Sequence, residues 1–412
     1  MNAFVTYKVT TKTTLPRFDS QNFSVYRRYS DFEWLQEQLS DEFPGLIIPP
    51  LPEKHVIRRF AEPFLSQRQR LLEKFLNRIA SHTSLREHMY VKSFLEEVNL
   101  DGMKEAVAKQ GKTTAGSFWQ IVSDATNSFS SKVVGGYTYD RPKTEEDIKF
   151  DQAKHYINSL DPQIHALNKH THGLVEQGRS MAQALFDFGL AFTLLGQAEA
   201  DALGDAMAQL GQCADKLSRI TAVEADKEAQ FFDEPIKEYV KLVKQVKLAL
   251  DARQTKATAY ENLMGALASK QDQKARLPSG DSRGPSLDDE IRQTKSQLEE
   301  AKRQFELVTE RVLDEMDRFK REKLVDFKRI VLDYVQLQIE YNQKVEESWR
   351  TLLPALKALN IQQASPEPSV SESTPVVQGT KTVNELDAAF NTDGNSDEEA
   401  NVPTNGEEEA FV

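Results

Sequence analysis

Cysteine is nearly absent: the 412 residues contain one, Cys213. A single thiol excludes intramolecular disulfides and cysteine-rich zinc sites, and a reducing, cytosolic setting is the simple expectation. Long apolar runs are missing as well. The most apolar stretch, ALFDFGLAFTLLG at 184–196, is interrupted by Asp187 and falls short of the roughly 20 residues that span a bilayer. The N-terminus, MNAFVTYKVTTKT, has no signal-peptide core and no glycine at position 2 for a myristoyl chain. A soluble protein is expected, one that meets a membrane only from outside. Positive charge is in deficit, with 52 Lys+Arg against 64 Asp+Glu for a net −12, which argues against general nucleic-acid binding. The deficit is local. Residues 361–412 hold eleven acids and one base, Lys381, so the first 360 residues are near neutral. A near-neutral body with basic patches can still approach an anionic membrane. Catalytic signatures are lacking too. There is no nucleophile–base pair, glycine-rich phosphate loop or carboxylate motif, so neither enzymatic activity nor a cofactor is expected. His155, His165, His170 and His172 cluster, but their spacing fits no common zinc pattern, and exposed helix positions are expected for them.

What is present falls into distinct stretches. Residues 1–100 read as a small α+β unit. Ala3, Val5, Tyr7 and Val9 alternate with Phe4, Thr6 and Lys8, the period of a half-buried strand. A turn-rich connection, LPRFDSQN, leads to a second extended segment, FSVYRR. Ser30 and Glu33 then form a capping-box pattern, and Phe32, Leu35 and Leu39 give the following helix an apolar face. FPG at 43–45 stops it, and IIPPLP must be an extended loop. Pro63 suits the first turn of a second helix with Leu65, Leu72, Phe75, Leu76 and Ile79 on one side. A third helix is predicted near 85–98, followed by a linker at 101–116. Residues 117–134, SFWQIVSDATNSFSSKVV, have the spacing of an amphipathic helix able to insert Phe118, Trp119, Ile121, Val122 and Phe129 among lipid headgroups. From 144 to 360 the pattern is almost wholly helical, broken near 196–204 and 277–286 into three helices. The last carries an apolar stripe from Leu287 to Trp349 and would be roughly 110 Å long. Narrow stripes on such long helices predict an elongated coiled coil that dimerises. Residues 361–412 have the composition of a disordered acidic tail.

Arg27, Arg28 and Tyr29, set where the second strand meets a helix, would suit a bound anion better than a buried core. Together, YKVTTKTTLP, VYRRYSDFEWL, IIPPLPEK and FLSQRQRLLEKFLNRIASH resemble a phox-homology (PX) domain. DFGLAFTLLG and FFDEPIKEYVKLV resemble the Bin–amphiphysin–Rvs (BAR) part of sorting nexins of the retromer-associated branch. The resemblance covers roughly residues 1–360, and the pairing of RRYSDF with PPLPEK at this spacing is its specific part. The family usually has a further strand before MNAFVTYKV, and often an acidic disordered N-terminus. Two readings follow, a truncated start or a sheet without its usual edge strand.

The resemblance implies an α+β PX domain followed by an all-α BAR domain, an elongated three-helix coiled coil that dimerises. The implied ligand is phosphatidylinositol 3-phosphate. Arg28 would grip the 3-phosphate in a bidentate pair, and Ser30 would offer it a helix N-terminus. Tyr29 would lie flat against the inositol ring, Lys54 would meet the 1-phosphate, and Arg68 would reach the 4- and 5-hydroxyls. Arg27 fits a sheet-surface ion pair at least as well as the lipid. Lys270, Lys274, Arg276, Arg283, Arg292 and Lys295, around the last hairpin tip, would form a basic surface toward the bilayer. The implied role is a peripheral protein on the cytosolic face of early endosomes that senses or imposes curvature during retrograde sorting. Its partners would be a second copy or other sorting nexins, and the retromer trimer, with no nucleic acid. The competing reading is a coiled-coil scaffold or tether without lipid specificity, which would not need the Arg28–Tyr29, Lys54 and Arg68 set.

Overall fold

In the computed structural model the described residues are 5–54, 62–110, 143–199, 202–278 and 283–358. The expected membrane-inserting helix at 117–134 and the acidic tail at 361–412 lie outside them. Strands β1 (Thr6–Lys12) and β2 (Asn22–Arg28) pair antiparallel with Val9 opposite Val25, both buried. Among the described residues this two-stranded sheet is the only one. Helix α1 (Tyr29–Glu42) follows directly and buries Phe32, Leu35 and Leu39, the face its spacing predicts. Helices α2 (Glu62–Ser81), α3 (Thr83–Arg86) and α4 (Met89–Glu96) close over it with Leu72, Phe75, Ile79, Leu85, Val91 and Phe94.

Three local expectations need correction. The Ser30–Glu33 capping box does not form. Helix α1 starts two residues earlier, with Arg28 as its N-cap, and the Asp31 carboxylate accepts the Arg28 backbone N–H at 2.7 Å. The third helix is two short ones, because histidines restart the chain. His82 Nδ1 accepts the Leu85 N–H at the head of α3, and His88 Nδ1 accepts the Tyr90 N–H at the head of α4. The segment expected as a linker begins as helix α5 (Asp101–Gln110). Asn99 accepts the Asp101 N–H, while Met103 and Val107 pack on the α+β core, so this stretch has an apolar face that composition alone did not reveal.

The second part consists of long helices. Thr144 caps helix α6 (Glu145–Ala198), its hydroxyl accepting the Asp147 N–H. Helix α7 (Ala202–Glu228) passes through a π-turn, Ala229–Asp233, into helix α8 (Glu234–Ala275). The wide turn lies just before Pro235, which has no N–H to give to a regular helical turn. Helix α9 (Gly284–Lys357) has 74 residues. Its predicted stripe is buried at Ala301, Phe305, Val308, Val312, Met316, Phe319 and Ile330, but Trp349 is 42 % exposed and Leu352 is buried instead. A 3.6-residue turn drifts out of phase with a heptad stripe over such a length.

The two parts meet in one core. Ile47, in the loop after α1, is buried among Phe150, Tyr239, Val243, Val308 and Val312 of the long helices. Gly45 allows this with φ +91°, and a Cβ there would lie 3.0 Å from Val308 Cγ1. Charged pairs surround the seam. Arg78 on α2 reaches Glu238 on α8 at 3.0 Å and Asp326 on α9 at 3.0 Å. Arg70 pairs with Glu234 at 3.1 Å, and Lys74 pairs with Glu238. Glu315 on α9 accepts from His82 Nε2 at 3.0 Å and from the Ile47 N–H at 2.9 Å.

Candidate functional site

Tyr29, the first residue of α1, is tied to both other elements of the predicted site. Its hydroxyl donates to the Pro52 carbonyl at 2.5 Å, and the Arg68 guanidinium lies over its ring at 4.7 Å. Burial first, and then Glu33 nearby, push the Tyr29 phenol up to about 12, so it stays a neutral donor at physiological pH. Arg68, on α2, is only 7 % exposed. It stacks also on Phe64 at 4.2 Å and donates through Nη2 to the Glu53 carbonyl at 3.2 Å. Its Nε is buried without a partner among the described residues, an unspent donor at the edge of the site. Lys54 ends the proline loop and reaches back to Glu33 on α1 at 3.0 Å. The lysine is largely exposed, and a pair of this kind is worth roughly 0.2–1 kcal/mol, so an arriving phosphate can displace it cheaply. Arg28 and Ser30 are exposed at the head of α1, where the helix dipole favours an anion. The structure therefore brings Tyr29 and Arg68 into direct contact and ties both to the loop that ends at Lys54, with Arg28 and Ser30 flanking Tyr29 in the chain.

Arg27 is not part of this group. It is 1 % exposed and donates to the carbonyls of Tyr26, Phe94, Ser93 and Glu97, so it caps the C-terminal end of α4 from within the core. The expectation that the buried core would exclude it is overturned, and so is that of a sheet-surface ion pair. Strand alternation carried the signal: Arg27 shares its face of β2 with buried Val25, and Arg28 lies on the other.

Sequence reasoning missed several neighbours. Asp31 anchors Lys104 of α5 as well as the Arg28 N–H. Glu53 Oε1 lies 3.4 Å from Lys241 and 3.6 Å from Lys237, both on α8. No local pattern announces such pairs, because their members lie far apart in the chain.

At the far hairpin, the predicted basic surface is heavily countered. Lys270 faces Glu290 at 3.2 Å, Lys274 pairs with Asp288, Arg276 with Asp272 at 2.8 Å, and Arg292 with Asp289 at 3.3 Å. Lys295 is exposed, and Arg283 sits at the N-cap of α9. The tip thus presents ion pairs more than bare positive charge. The four clustered histidines are all exposed on α6. Among the described residues no helix is long and apolar enough to cross a membrane.

A small α+β module, whose α1 corner meets Arg68 and the 52–54 loop, shares one core with the long helices α6, α8 and α9. The family model of the PX domain matches residues 15–98, and the one described as Vps5 C terminal like matches residues 122–355. The chain is 33% identical over 364 residues to Sorting nexin 1 of Arabidopsis thaliana, covering 87% of this chain and 89% of that protein. It is 29% identical over 375 residues to Sorting nexin-1 of Mus musculus, covering 87% of this chain and 70% of that one. Among solved structures, the cryo-EM structure of the SNX-BAR Mvp1 tetramer superposes with a TM-score of 0.63 at 17% identity, over 86% of this chain and 96% of that one, which shows a shared fold. The chain belongs to the sorting nexins of the PX–BAR class, a family of membrane-binding proteins with roles in membrane curvature and endosomal sorting.

Proposed function

We propose that the corner at the head of α1 recognises phosphatidylinositol 3-phosphate and brings the protein to the cytosolic face of early endosomes for retrograde sorting. The observation that carries this reading is the convergence of Tyr29, Arg68 and the 52–54 loop on one helix N-terminus. Arg28 grips the 3-phosphate, Ser30 and the α1 N–H groups support it, and Tyr29 faces the ring. Lys54 leaves Glu33 for the 1-phosphate, and Arg68 offers its unspent Nε to a ring hydroxyl. Residues 117–134 act as a shallow wedge, and a dimer of the long helices, with a second copy or another sorting nexin, lies along the curved surface. The paired tip charges make that contact a modest attraction. The retromer trimer is the partner that the family resemblance offers for cargo capture.

Sedimentation with liposomes of defined phosphoinositide content tests the site. Arg28→Ala is expected to abolish the preference for the 3-phosphate lipid, since it removes the bidentate partner of the phosphate that defines the ligand. Lys54→Ala is expected to weaken binding with less loss of selectivity. An Arg28→Ala protein that still prefers 3-phosphate liposomes as the native chain does would sink the assignment and leave the tether reading in its place.

A further inference from the structure

The loop that carries Lys54 has little with which to hold itself. Pro49, Pro50 and Pro52 remove three of the N–H groups between positions 49 and 54, so no ladder can fix it. It is held by groups that reach in from outside. Three come from the α+β part and all end on loop carbonyls: Gln36 Nε2 on Pro49 at 2.8 Å, the Tyr29 hydroxyl on Pro52 at 2.5 Å, and Arg68 on Glu53 at 3.2 Å. From the other side, Lys237 and Lys241, one turn apart on α8, converge on the Glu53 carboxylate at 3.6 and 3.4 Å. Helix α8 is a firm base for this contact. The same helix is bound to α2 by the Arg70–Glu234 and Arg78–Glu238 pairs, and it shares a core with Ile47.

We infer that the helical domain completes the lipid site: Lys237 and Lys241 act as positioning residues that clamp Glu53 and so set the loop that presents Lys54. The inference rests on the lipid reading of the α1 corner. It assigns α8 a part in headgroup affinity that is separate from any contact with the membrane surface. Helix α8 need not touch the lipid; it acts through the place it gives to Glu53.

A plain electrostatic role makes a different prediction. If the two lysines merely attracted phosphate, Glu53 would be an unfavourable neighbour of an anion, and Glu53→Gln would tighten binding. The clamp predicts the opposite sign. Calorimetric titration of the full chain with soluble short-chain phosphatidylinositol 3-phosphate reads headgroup affinity without membrane attraction. Glu53→Gln is expected to weaken binding about threefold to fivefold, the scale of a partly exposed ion pair. The Lys237→Gln/Lys241→Gln variant should lose a similar factor, because it frees the same Glu53 carboxylate from α8. Unchanged or tighter binding by Glu53→Gln overturns the clamp, as does unchanged binding by the Lys237→Gln/Lys241→Gln variant. Arg28→Ala in the same titration keeps the two ideas apart. If it loses binding while Glu53→Gln does not, the lipid site stands and the clamp falls. If it binds like the native chain, the lipid reading fails and the clamp with it.

Discussion

Glu315 lies at the seam with its side chain 6% exposed, yet it remains charged. Burial alone would raise its pKa. Hydrogen bonds from His82, Arg318 and the Ile47 N–H, together with the Arg318 charge, outweigh that and hold it at about 2. A carboxylate depressed in the folded state contributes stability that is whole above its ordinary value of 4.5 and is lost as pH falls toward 2. Glu315→Gln should therefore cost about 3 kcal/mol at neutral pH, at the lower end for breaking a buried pair. The gap between variant and native chain should close between about pH 5 and pH 2. Urea titrations at several pH values measure both, and a gap that stays constant down to pH 3 would remove Glu315 from the role. No sequence pattern marks this residue, which reads as one more acid on a charged helix. At the α1 corner the residue scale was more legible. The resemblance of RRYSDF, PPLPEK and FLSQRQRLLEK to a PX domain singled out Arg28, Tyr29, Lys54 and Arg68. Arg27 follows strand parity rather than its charge: Val25, two residues earlier on the same face, is buried, and so is Arg27.

Elements were legible wherever a period ran long enough to be read. The strand alternation, the α1 face and the three long helices all repeat one pattern several times. Short elements depended on single capping contacts, such as His82 to Leu85 and His88 to Tyr90, which no period announces. The turn at 43–45 lies between these cases. FPG signals a helix stop, but not that the same glycine seats one part of the chain against the other. Gly45 combines φ +91° with a Cβ direction that points 3.0 Å from Val308 Cγ1 and 3.3 Å from the Val308 carbonyl oxygen. Gly45→Ala should thus pay for both a left-handed backbone and a tight contact, about 1–3 kcal/mol together. The expected outcome is a lower denaturation midpoint and faster exchange of the Ile47 amide, which Glu315 now protects. A midpoint equal to that of the native chain would mean that α9 yields to the added methyl and the seam is looser than its contacts indicate.

At the scale of the whole molecule, the long helices leave apolar surface that their own chain does not cover. On α6, Leu174, Met181, Phe188 and Leu195 recur every seven residues, and each is 43–55 % exposed. On α9, Val325, Leu332 and Ile339 keep the same spacing and are 48–67 % exposed. A heptad stripe facing water is a coiled-coil seam without its partner, and two such stripes exceed the scattered apolar exposure of a stable monomer. The narrowness of the stripes in the sequence predicts a dimer but does not say which turns would face out. That depends on how much of α6 and α9 is already spent on α7 and α8, which only packing decides. A dimer is predicted to use the second half of α6 and the middle of α9. Light scattering behind size exclusion should give twice the chain mass at micromolar concentration, and small-angle scattering an extended particle. Met181→Glu with Leu332→Glu places charges on both stripes, and each newly buried charge would need a partner that the seam does not offer. That variant should run as a monomer or aggregate. A native chain that stays a compact monomer under these conditions would refute the dimer. A double variant that stays dimeric would move the interface to another face of the helices.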